Sequence, residues 1–331
     1  MHFAIIIITL ALVFDFYNGM NDAANSIATI VSTRVLTPMQ AVVWAAVFNF
    51  LAAFIFGVSV ATTVGKGIVD VSIVNNVVIF SGLVGAIIFT ATCTHFGLPI
   101  SVSHAIIGGY GGAAIVKAGF HALVLSGFIK VLVFIFLAPI LGFIMAMVFS
   151  VVTMWVVRNR SPRGVDKYFR KFQLISSALF SLSHGSNDAQ KTIGMIAVVL
   201  FTNGLLGSSF YVPYWVILSS YTVIALGTMV GGWKVIKTLG MRVTKLSPFG
   251  GFSAETSAGV TIIFASLLGI PVSTTHTITG SIIGVGSIKG FSAVRWGVAK
   301  NILWAWLLTM PLSAVFSMLT YYVSLEIIKL I

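Results

Sequence analysis

The sequence predicts an all-α polytopic membrane protein built from two inverted-topology repeats, with broken helices and re-entrant segments. Three observations lead to this prediction: a very apolar composition, apolar runs along the whole chain, and two motifs that each occur twice. Of the 331 residues, 58% are hydrophobic and 8% are charged. Average soluble domains carry about 25% charged residues. This inventory therefore excludes a soluble enzyme and a disordered chain.

Apolar runs recur from residues 3–17 to residues 293–325 and are interrupted by short polar breaks. About 20 apolar residues cross the hydrocarbon core as a helix, so we expect about 10–12 membrane segments. The runs are too long and continuous for the alternating pattern of an outer-membrane barrel. The single cysteine, Cys93, cannot form an internal disulfide, which excludes a secreted disulfide scaffold.

Two motifs recur in the same order, which indicates duplication. Residues 14–31 align with 180–197 at an offset of 166, and residues 97–117 align with 269–289 at an offset of 172. Identical pairs include Asn21/Asn187, Asp22/Asp188, Pro99/Pro271, Ser101/Ser273, His104/His276 and Lys117/Lys289. We therefore divide the chain into a first repeat at 1–157, a basic cytoplasmic connector at 158–171 and a second repeat at 172–331.

The positions of the basic residues predict how the two repeats are oriented. The net charge is +12, and basic residues concentrate at 158–171 and 234–245, between apolar runs. The positive-inside rule places such loops in the cytoplasm, and we favour this reading over a nucleic-acid surface. In the first repeat the basic residues fall in different loops, which predicts inverted topology. We therefore expect a multi-pass protein of the plasma membrane with both termini outside.

Acidic residues are rare, and four of the seven lie within or beside apolar runs: Asp15, Asp22, Asp188 and Glu255. An ionisable group in a membrane costs several kcal/mol unless it is paired or hydrated, so such residues are functional candidates. Asp22 and Asp188 are the strongest, since the duplication keeps both. The alternative for an Asn-Asp pair is interhelical hydrogen bonding alone.

The first motif is typical of a cation site. Carboxylates flanked by carboxamides, Asn21-Asp22 and Asn187-Asp188, suit a hard cation such as Na⁺, or a proton. Gly19 and Gly185 precede these pairs, and we expect the helices to break there and offer backbone groups to the ion.

The second motif is typical of an anion site. Its proline suits a first helical turn, and hydroxyl groups stand beside the free N–H groups of a new helix: Ser101, Ser103, Ser273, Thr274 and Thr275. Such a helix start binds anions. The alternative is capping by these hydroxyls together with close packing of the nearby glycines. His104 and His276 are expected to be core histidines more often than ligands.

Several kinds of catalytic and cofactor site leave no trace in the sequence. We find no Cys/His metal spacing, no Walker loop and no nucleophile elbow, and the glycine run at 108–112 has no strand before it. We therefore predict a protein that is not an enzyme and needs no cofactor.

Together, the four motifs resemble the signatures of the inorganic phosphate transporter (PiT) family, and the resemblance covers nearly the whole chain. It implies a prokaryotic-type secondary transporter that imports inorganic phosphate by symport with a cation, Na⁺ favoured over H⁺, through alternating access. Phosphate contacts are then expected from Ser101, Ser103, Ser273, Thr274, Thr275, Asn25 and Gln190. Na⁺ contacts are expected from Asn21, Asp22, Asn187, Asp188 and Glu255.

The sequence departs from the family pattern in two places. Animal members carry a membrane Glu in the second run of each half; the resemblance puts the later one near Glu255, whereas the earlier one falls on Asn49. The first loop also has Val102 and Ser103 where the second has Thr274 and Thr275, so unequal contributions from the two halves are expected.

Three other functions remain open at this stage. A sulfate permease on the same scaffold is the main alternative, because both anions are tetrahedral. A membrane lipid-phosphate phosphatase would want an arginine near its nucleophile, and neither loop motif contains one. A passive anion channel would have little need for repeated membrane aspartates. The small-residue faces permit a homodimer, and the expected partners are phosphate, the coupling cation and the lipid bilayer, with no nucleic acid.

Overall fold

The computed structural model describes residues 2–207 and 209–330, most of which are helical. Twelve α-helices occur within it. They are α1 (His2–Ser32), α2 (Pro38–Leu51), α3 (Ser59–Lys66), α4 (Asn76–Phe96), α5 (Val102–Ala118), α6 (Leu125–Val157), α7 (Pro162–Thr202), α8 (Tyr214–Val230), α9 (Trp233–Arg242), α10 (Pro248–Leu267), α11 (Thr274–Ile288) and α12 (Trp296–Leu330).

The two repeats have the same order of six helices, so that α1 to α6 correspond to α7 to α12. Small details recur as well: isolated β-bridges join Val69 to Leu123 and Thr244 to Val294. The lysine that both copies of the second motif contain also has equivalent contacts in the two halves. The Lys117 ammonium donates to the Ile73 carbonyl, and the Lys289 ammonium donates to the Lys245 carbonyl. The similarity of the two halves therefore extends from the sequence to the order of the helices and to these contacts.

The halves are interleaved rather than side by side. Helix α1 packs against α8 and α9, and α7 packs against α2 and α3. In the same way α5 packs against α12, and α11 against α6. Each half therefore surrounds the polar helix of the other, as expected for two inverted repeats that share one core.

Among the described residues, four helices are long and apolar enough to cross a membrane by length and composition: α1, α4, α6 and α12. Two bent pairs raise this number to six, with 83° between 38–54 and α3 and 69° between α8 and α9. Our sequence estimate of 10–12 segments is higher because it also included short runs, such as the 15 residues of α11, and polar ones, such as much of α7.

The predicted helix breaks at Gly19 and Gly185 are wrong, because α1 and α7 run through both glycines. A glycine costs a helix only about 1 kcal/mol, and neither position is followed by proline. Both glycines instead permit close packing: a Cβ on Gly19 would lie 2.1 Å from the Ile224 carbonyl oxygen, and one on Gly185 2.6 Å from that of Asn49. The breaks occur in the bent pairs instead.

The basic connector is also different from the predicted loop. Only residues 158–161 lie between α6 and α7, and the remaining residues form the first turns of α7. The Ser161 hydroxyl caps this helix, and Pro162 occupies its first turn. Phe169 then packs against Phe249 and Phe252 of α10, which fixes the basic segment as a helix.

The two hydroxyl loops lie between α4 and α5 and between α10 and α11. Gly97 and Gly269 adopt positive φ, 73° and 67°, and thereby end the preceding helices. Ser101 and Ser273 then cap α5 and α11. Each half therefore brings a new helix start next to the polar stretches of α1 and α7.

Candidate functional site

The two repeated aspartates meet at the centre of the protein. Asp22 on α1, Asp188 on α7 and His184, one turn before Asp188, each place a side-chain atom within 4.8 Å of the others. All three are at most 1% exposed. Two carboxylates at this separation repel each other unless cations or hydrogen-bond donors compensate their charge.

Asp188 is compensated on several sides by residues of the protein. The Lys191 ammonium forms an ion pair with its Oδ1. His184 Nε2 lies 3.1 Å from its Oδ2, and the Thr274 hydroxyl donates to the same oxygen at 3.0 Å. The charge of this carboxylate is therefore balanced within the protein.

Asp22 has a different environment. The Thr275 hydroxyl donates to Asp22 Oδ1 at 3.2 Å, and no salt bridge involves Asp22 within the described residues. The Asn25 amide nitrogen donates to Thr275 Oγ1 at 2.9 Å and approaches Thr274 Oγ1 at 3.3 Å. Among the residues that the structure covers, no group donates to the buried Asn25 Oδ1. Oxygen atoms from both halves thus lie together at Asp22, Asn25 and Thr275, with no cationic side chain bound to them in the described residues.

The hydroxyl groups of the second motif divide into two kinds. Ser101 and Ser273 accept from the backbone N–H groups of His104 and His276, both at 3.2 Å, and so hold the helix starts in place. The side chains of the first turn, Ser103, Thr274 and Thr275, point to the aspartate cluster instead: Ser103 Oγ lies 2.5 Å from the Lys191 ammonium. The first N–H groups of α5 and α11 have no acceptor within their own helices.

The two motif histidines pack against each other in the core. Their ring centroids lie 4.8 Å apart, and the His276 ring stacks on Trp306 at 3.9 Å. The Trp306 Nε1–H group donates to the Pro99 carbonyl at 3.1 Å, which ties α12 to the first loop. These contacts agree with the expectation of core histidines.

Asn21 and Asn187 have equivalent positions in the two halves. The Asn21 amide donates to Thr94 on α4 at 2.7 Å, and that of Asn187 donates to Ser266 on α10 at 2.8 Å. These bonds fix α1 and α7 to the helices that end in the hydroxyl loops. The carbonyl oxygens of both side chains are buried and accept no hydrogen bond within the described ranges, so they face the interior with free acceptor capacity.

Gln190 does not reach the hydroxyl groups as predicted. Its Oε1 accepts from the backbone N–H groups of Val60 and Ala61 at 2.9 and 3.2 Å, and its amide nitrogen donates to the Ser186 carbonyl. Gln190 therefore accepts hydrogen bonds from the free N–H groups in the first turn of α3. Helix α3 lies more than 120 residues away in the sequence, so no local pattern predicts this role.

Glu255 also lies apart from the aspartate cluster. It accepts hydrogen bonds from Thr29 at 2.5 Å, Gln173 at 3.0 Å and Ser176 at 2.5 Å. Thr29 lies two turns beyond Asp22 on α1, about 10 Å along the helix axis. The structure therefore does not unite Glu255 with the other predicted Na⁺ ligands.

The suggested equivalence of Asn49 and Glu255 is wrong. Asn49 lies on α2, the second helix of its half, whereas Glu255 lies on α10, the fourth helix of its half. Helix α8, the counterpart of α2, contains no acidic residue. Asn49 instead donates to Thr228 at 3.0 Å, and its Oδ1 lies 3.1 Å from His184 Nδ1, so it belongs to the shell around Asp188.

Sequence reasoning missed three residues of the site: Lys191, His184 and Asn49 were not among the predicted ligands. A signal was present for two of them. In the alignment of the repeats His184 corresponds to Asn18, and Lys191 to Asn25, so the second half has basic side chains where the first has carboxamides. The sequence alone does not reveal that both basic groups reach the same carboxylate.

Taken together, the site is a buried cluster in which two carboxylates meet two helix starts rich in hydroxyl groups. No member of the cluster is more than 4% exposed. Its oxygen atoms suit a hard cation, and its hydroxyl and N–H groups suit an oxyanion. A fold of interleaved inverted repeats with such a site at the repeat interface defines the class of secondary transporters.

Comparison with known proteins narrows this class. Residues 18–317 match the model of the phosphate transporter family. The chain is 52% identical over 316 residues to a probable low-affinity inorganic phosphate transporter of Rhizobium meliloti, with 96% of this chain and 95% of the relative covered. A Bacillus subtilis protein of the same description is 42% identical, with 96% of both chains covered. The chain belongs to the phosphate transporter family and is a transporter rather than an enzyme.

A solved structure agrees with this assignment. The structure described as the sodium-dependent phosphate transporter has a TM-score of 0.89 and 29% sequence identity to this chain, with 99% of this chain and 100% of the other covered. The predicted all-α polytopic membrane fold is confirmed by this similarity.

Proposed function

We propose that this chain imports inorganic phosphate by symport with a cation, Na⁺ in preference to H⁺, through alternating access in the plasma membrane, with both termini outside. The carrying observation is the meeting of Asp22 and Asp188 with the starts of α5 and α11. The substrate named for the bacterial relatives and the sodium dependence named for the structural neighbour support the same proposal.

In this proposal, charge balance requires that the cation bind before or together with phosphate. Inorganic phosphate is an anion near neutral pH, where its dihydrogen and monohydrogen forms coexist. Asp22 has no cationic partner within the described residues, so phosphate alone would add negative charge to an uncompensated carboxylate. A cation on Asp22 would remove this obstacle, and the buried setting strengthens the effect.

The Thr275 hydroxyl would link the two binding events. It now donates to Asp22 Oδ1 at 3.2 Å. A cation at Asp22 would compete with the hydroxyl hydrogen for this oxygen. Once displaced, the hydroxyl could donate to phosphate while its oxygen remains a ligand for the cation. Thr274 donates to Asp188 at 3.0 Å, on the half whose carboxylate already pairs with Lys191.

Phosphate would then bind to Ser103, Thr274 and Thr275 and to the free N–H groups of α5 and α11, within reach of Asn25. Ser101 and Ser273 would support these helix starts as caps. A carboxylate oxygen near the anion can accept the hydroxyl proton of monohydrogen phosphate, which sulfate lacks. This difference favours phosphate over sulfate. The homodimer remains a prediction.

The test is uptake of labelled phosphate into proteoliposomes, with an inward Na⁺ gradient, a K⁺ replacement and a pH gradient as separate arms. We expect uptake that needs Na⁺ and is inhibited by arsenate but not by sulfate. Uptake in the pH arm alone would support phosphate symport but show that the coupling ion is H⁺ rather than Na⁺. Absence of phosphate uptake in every arm, with accumulation of sulfate, would refute the proposal.

A further inference from the structure

Lys191 is a buried ammonium group in the centre of the site. It is 1% exposed and contacts three oxygen atoms: the Asp188 carboxylate, the Ser103 hydroxyl at 2.5 Å and the Val272 backbone carbonyl at 3.0 Å. An ammonium group has three N–H donors. All three are therefore used by the protein, and none remains free to bind a phosphate oxygen.

The three oxygen atoms around this ammonium are those that a transported cation would use. Oxygen atoms, among them the backbone carbonyls of unwound segments, coordinate Na⁺ in transporters. Val272 lies in the loop before α11, and Ser103 lies in the first turn of α5. Lys191 thus places a compact positive charge at a position whose surroundings suit a small cation.

The first half lacks the lysine but keeps a repeated carboxylate with a hydroxyl group beside it. The repeat alignment pairs Asp188 with Asp22, Ser103 with Thr275 and Lys191 with Asn25. Thr275, from the second half, donates to Asp22 at 3.2 Å, and the Asn25 amide donates to Thr275 at 2.9 Å. Asn25 is 1% exposed, and its side-chain carbonyl oxygen accepts no hydrogen bond within the part of the chain described.

We infer that Lys191 is a tethered cation that replaces one coupling ion. The duplicated scaffold provides two equivalent cation positions; the second is occupied permanently by the Lys191 ammonium, and the first, at Asp22, Asn25 and Thr275, binds the transported cation. The inference rests on the proposed function and specifies its stoichiometry. Each phosphate would therefore be transported with one cation fewer than if both positions were open.

The substitution Lys191→Asn tests this inference, because it places in the second half the residue that the first half has at Asn25. Asp188 would then lack its tethered charge and bind a Na⁺ ion. We expect the ratio of labelled Na⁺ to labelled phosphate to rise by one ion. At zero membrane potential and a tenfold Na⁺ gradient, one more coupled ion raises phosphate accumulation at equilibrium about tenfold.

Lys329→Asn is the matched control. Lys329 pairs with Glu326 at the same spacing of three residues, but both side chains are more than two-thirds exposed. We expect its ion ratio to equal that of the wild type. The double variant Asp188→Asn/Lys191→Asn removes the second carboxylate as well, and its ion ratio is expected to return to the wild-type value.

Na⁺-dependent thermal stability of the purified variants provides a measurement that does not need transport. We expect the melting temperature of Lys191→Asn to rise more steeply with the logarithm of Na⁺ concentration than that of the wild type, since a second ion binds only the folded protein. An unchanged slope together with an unchanged ion ratio would overturn the inference. A raised KM for phosphate at an unchanged ratio would also overturn it and make Lys191 a phosphate contact.

The outcomes separate this inference from the proposed function. A wild-type protein that takes up no phosphate with any cation would refute the proposed function itself. A wild-type protein with cation-driven uptake, and a Lys191→Asn variant of the same ion ratio, would leave the proposed function intact and refute the tethered cation.

Discussion

The contact between α1 and α8 provides a prediction whose magnitude follows from the structure. A Cβ on Gly19 would lie 2.1 Å from the Ile224 carbonyl oxygen, and one on Gly227 would lie equally close to the Phe16 carbonyl. Real Cβ atoms essentially never approach other heavy atoms to less than 3.0 Å. The substitution Gly19→Ala must therefore separate these backbones by about 1 Å.

Such overpacking costs about 1–3 kcal/mol, and the better helix propensity of alanine returns at most about 1 kcal/mol. Asp22 lies less than one turn after Gly19 on α1, so the same displacement shifts its carboxylate relative to Thr275. Since a misplacement of about 1 Å can cost a reaction site about a hundredfold, we expect Gly19→Ala to lower both the melting temperature and the initial rate of phosphate uptake.

Melting of the purified protein in detergent and uptake into proteoliposomes measure the two effects. Gly297→Ala is the control, because its added Cβ meets nothing within 4 Å at the start of α12. If Gly19→Ala matched Gly297→Ala in both assays, α1 and α8 would not be held at the close distance on which this reasoning depends.

Two further predictions concern single hydrogen bonds. Thr275→Val removes the hydroxyl oxygen that is the proposed ligand of the cation at Asp22, so we expect the Na⁺ concentration for half-maximal uptake to rise by roughly tenfold, given about 1.5 kcal/mol for a polar contact to a charged group; Thr279→Val, which loses only a bond to its own helix, should leave this value unchanged, and equal behaviour would contradict the prediction. Gln190→Leu removes the cap of α3 and should lower stability by about 1 kcal/mol, seen as a lower melting temperature without a change in the KM for phosphate; the reverse result would restore Gln190 as a phosphate contact.

Most of what could be predicted from the sequence follows from its internal duplication. The repeated motifs predicted two halves, marked Asp22 and Asp188 as functional candidates, and predicted new helix starts at Ser101 and Ser273, which cap α5 and α11 in the structure. These features are local or periodic. A capping serine, a proline and an aspartate repeated at a fixed offset leave a signal that does not depend on the rest of the fold.

The errors came from residues whose role depends on distant partners. Glycine has two uses in a helix, as a break and as a site of close packing, and only the carbonyls of Ile224 and Asn49 decide between them at Gly19 and Gly185. Glu255 was expected to be a Na⁺ ligand by family resemblance, but from its position on α10 it accepts hydrogen bonds from Thr29, Gln173 and Ser176. Such assignments need three-dimensional distances.

The most direct test of the account is Na⁺-driven phosphate uptake by Asp22→Asn, a substitution that keeps the shape of the side chain and removes its charge. Asp70→Asn is the control, since Asp70 is exposed and bonds only to Ser72 through its side chain. With assembly verified by size-exclusion chromatography, we expect Asp22→Asn to lose cation-driven uptake while Asp70→Asn retains it. Uptake by Asp22→Asn at the wild-type rate and with the wild-type Na⁺ dependence would contradict the central claim that Asp22 binds the coupling cation.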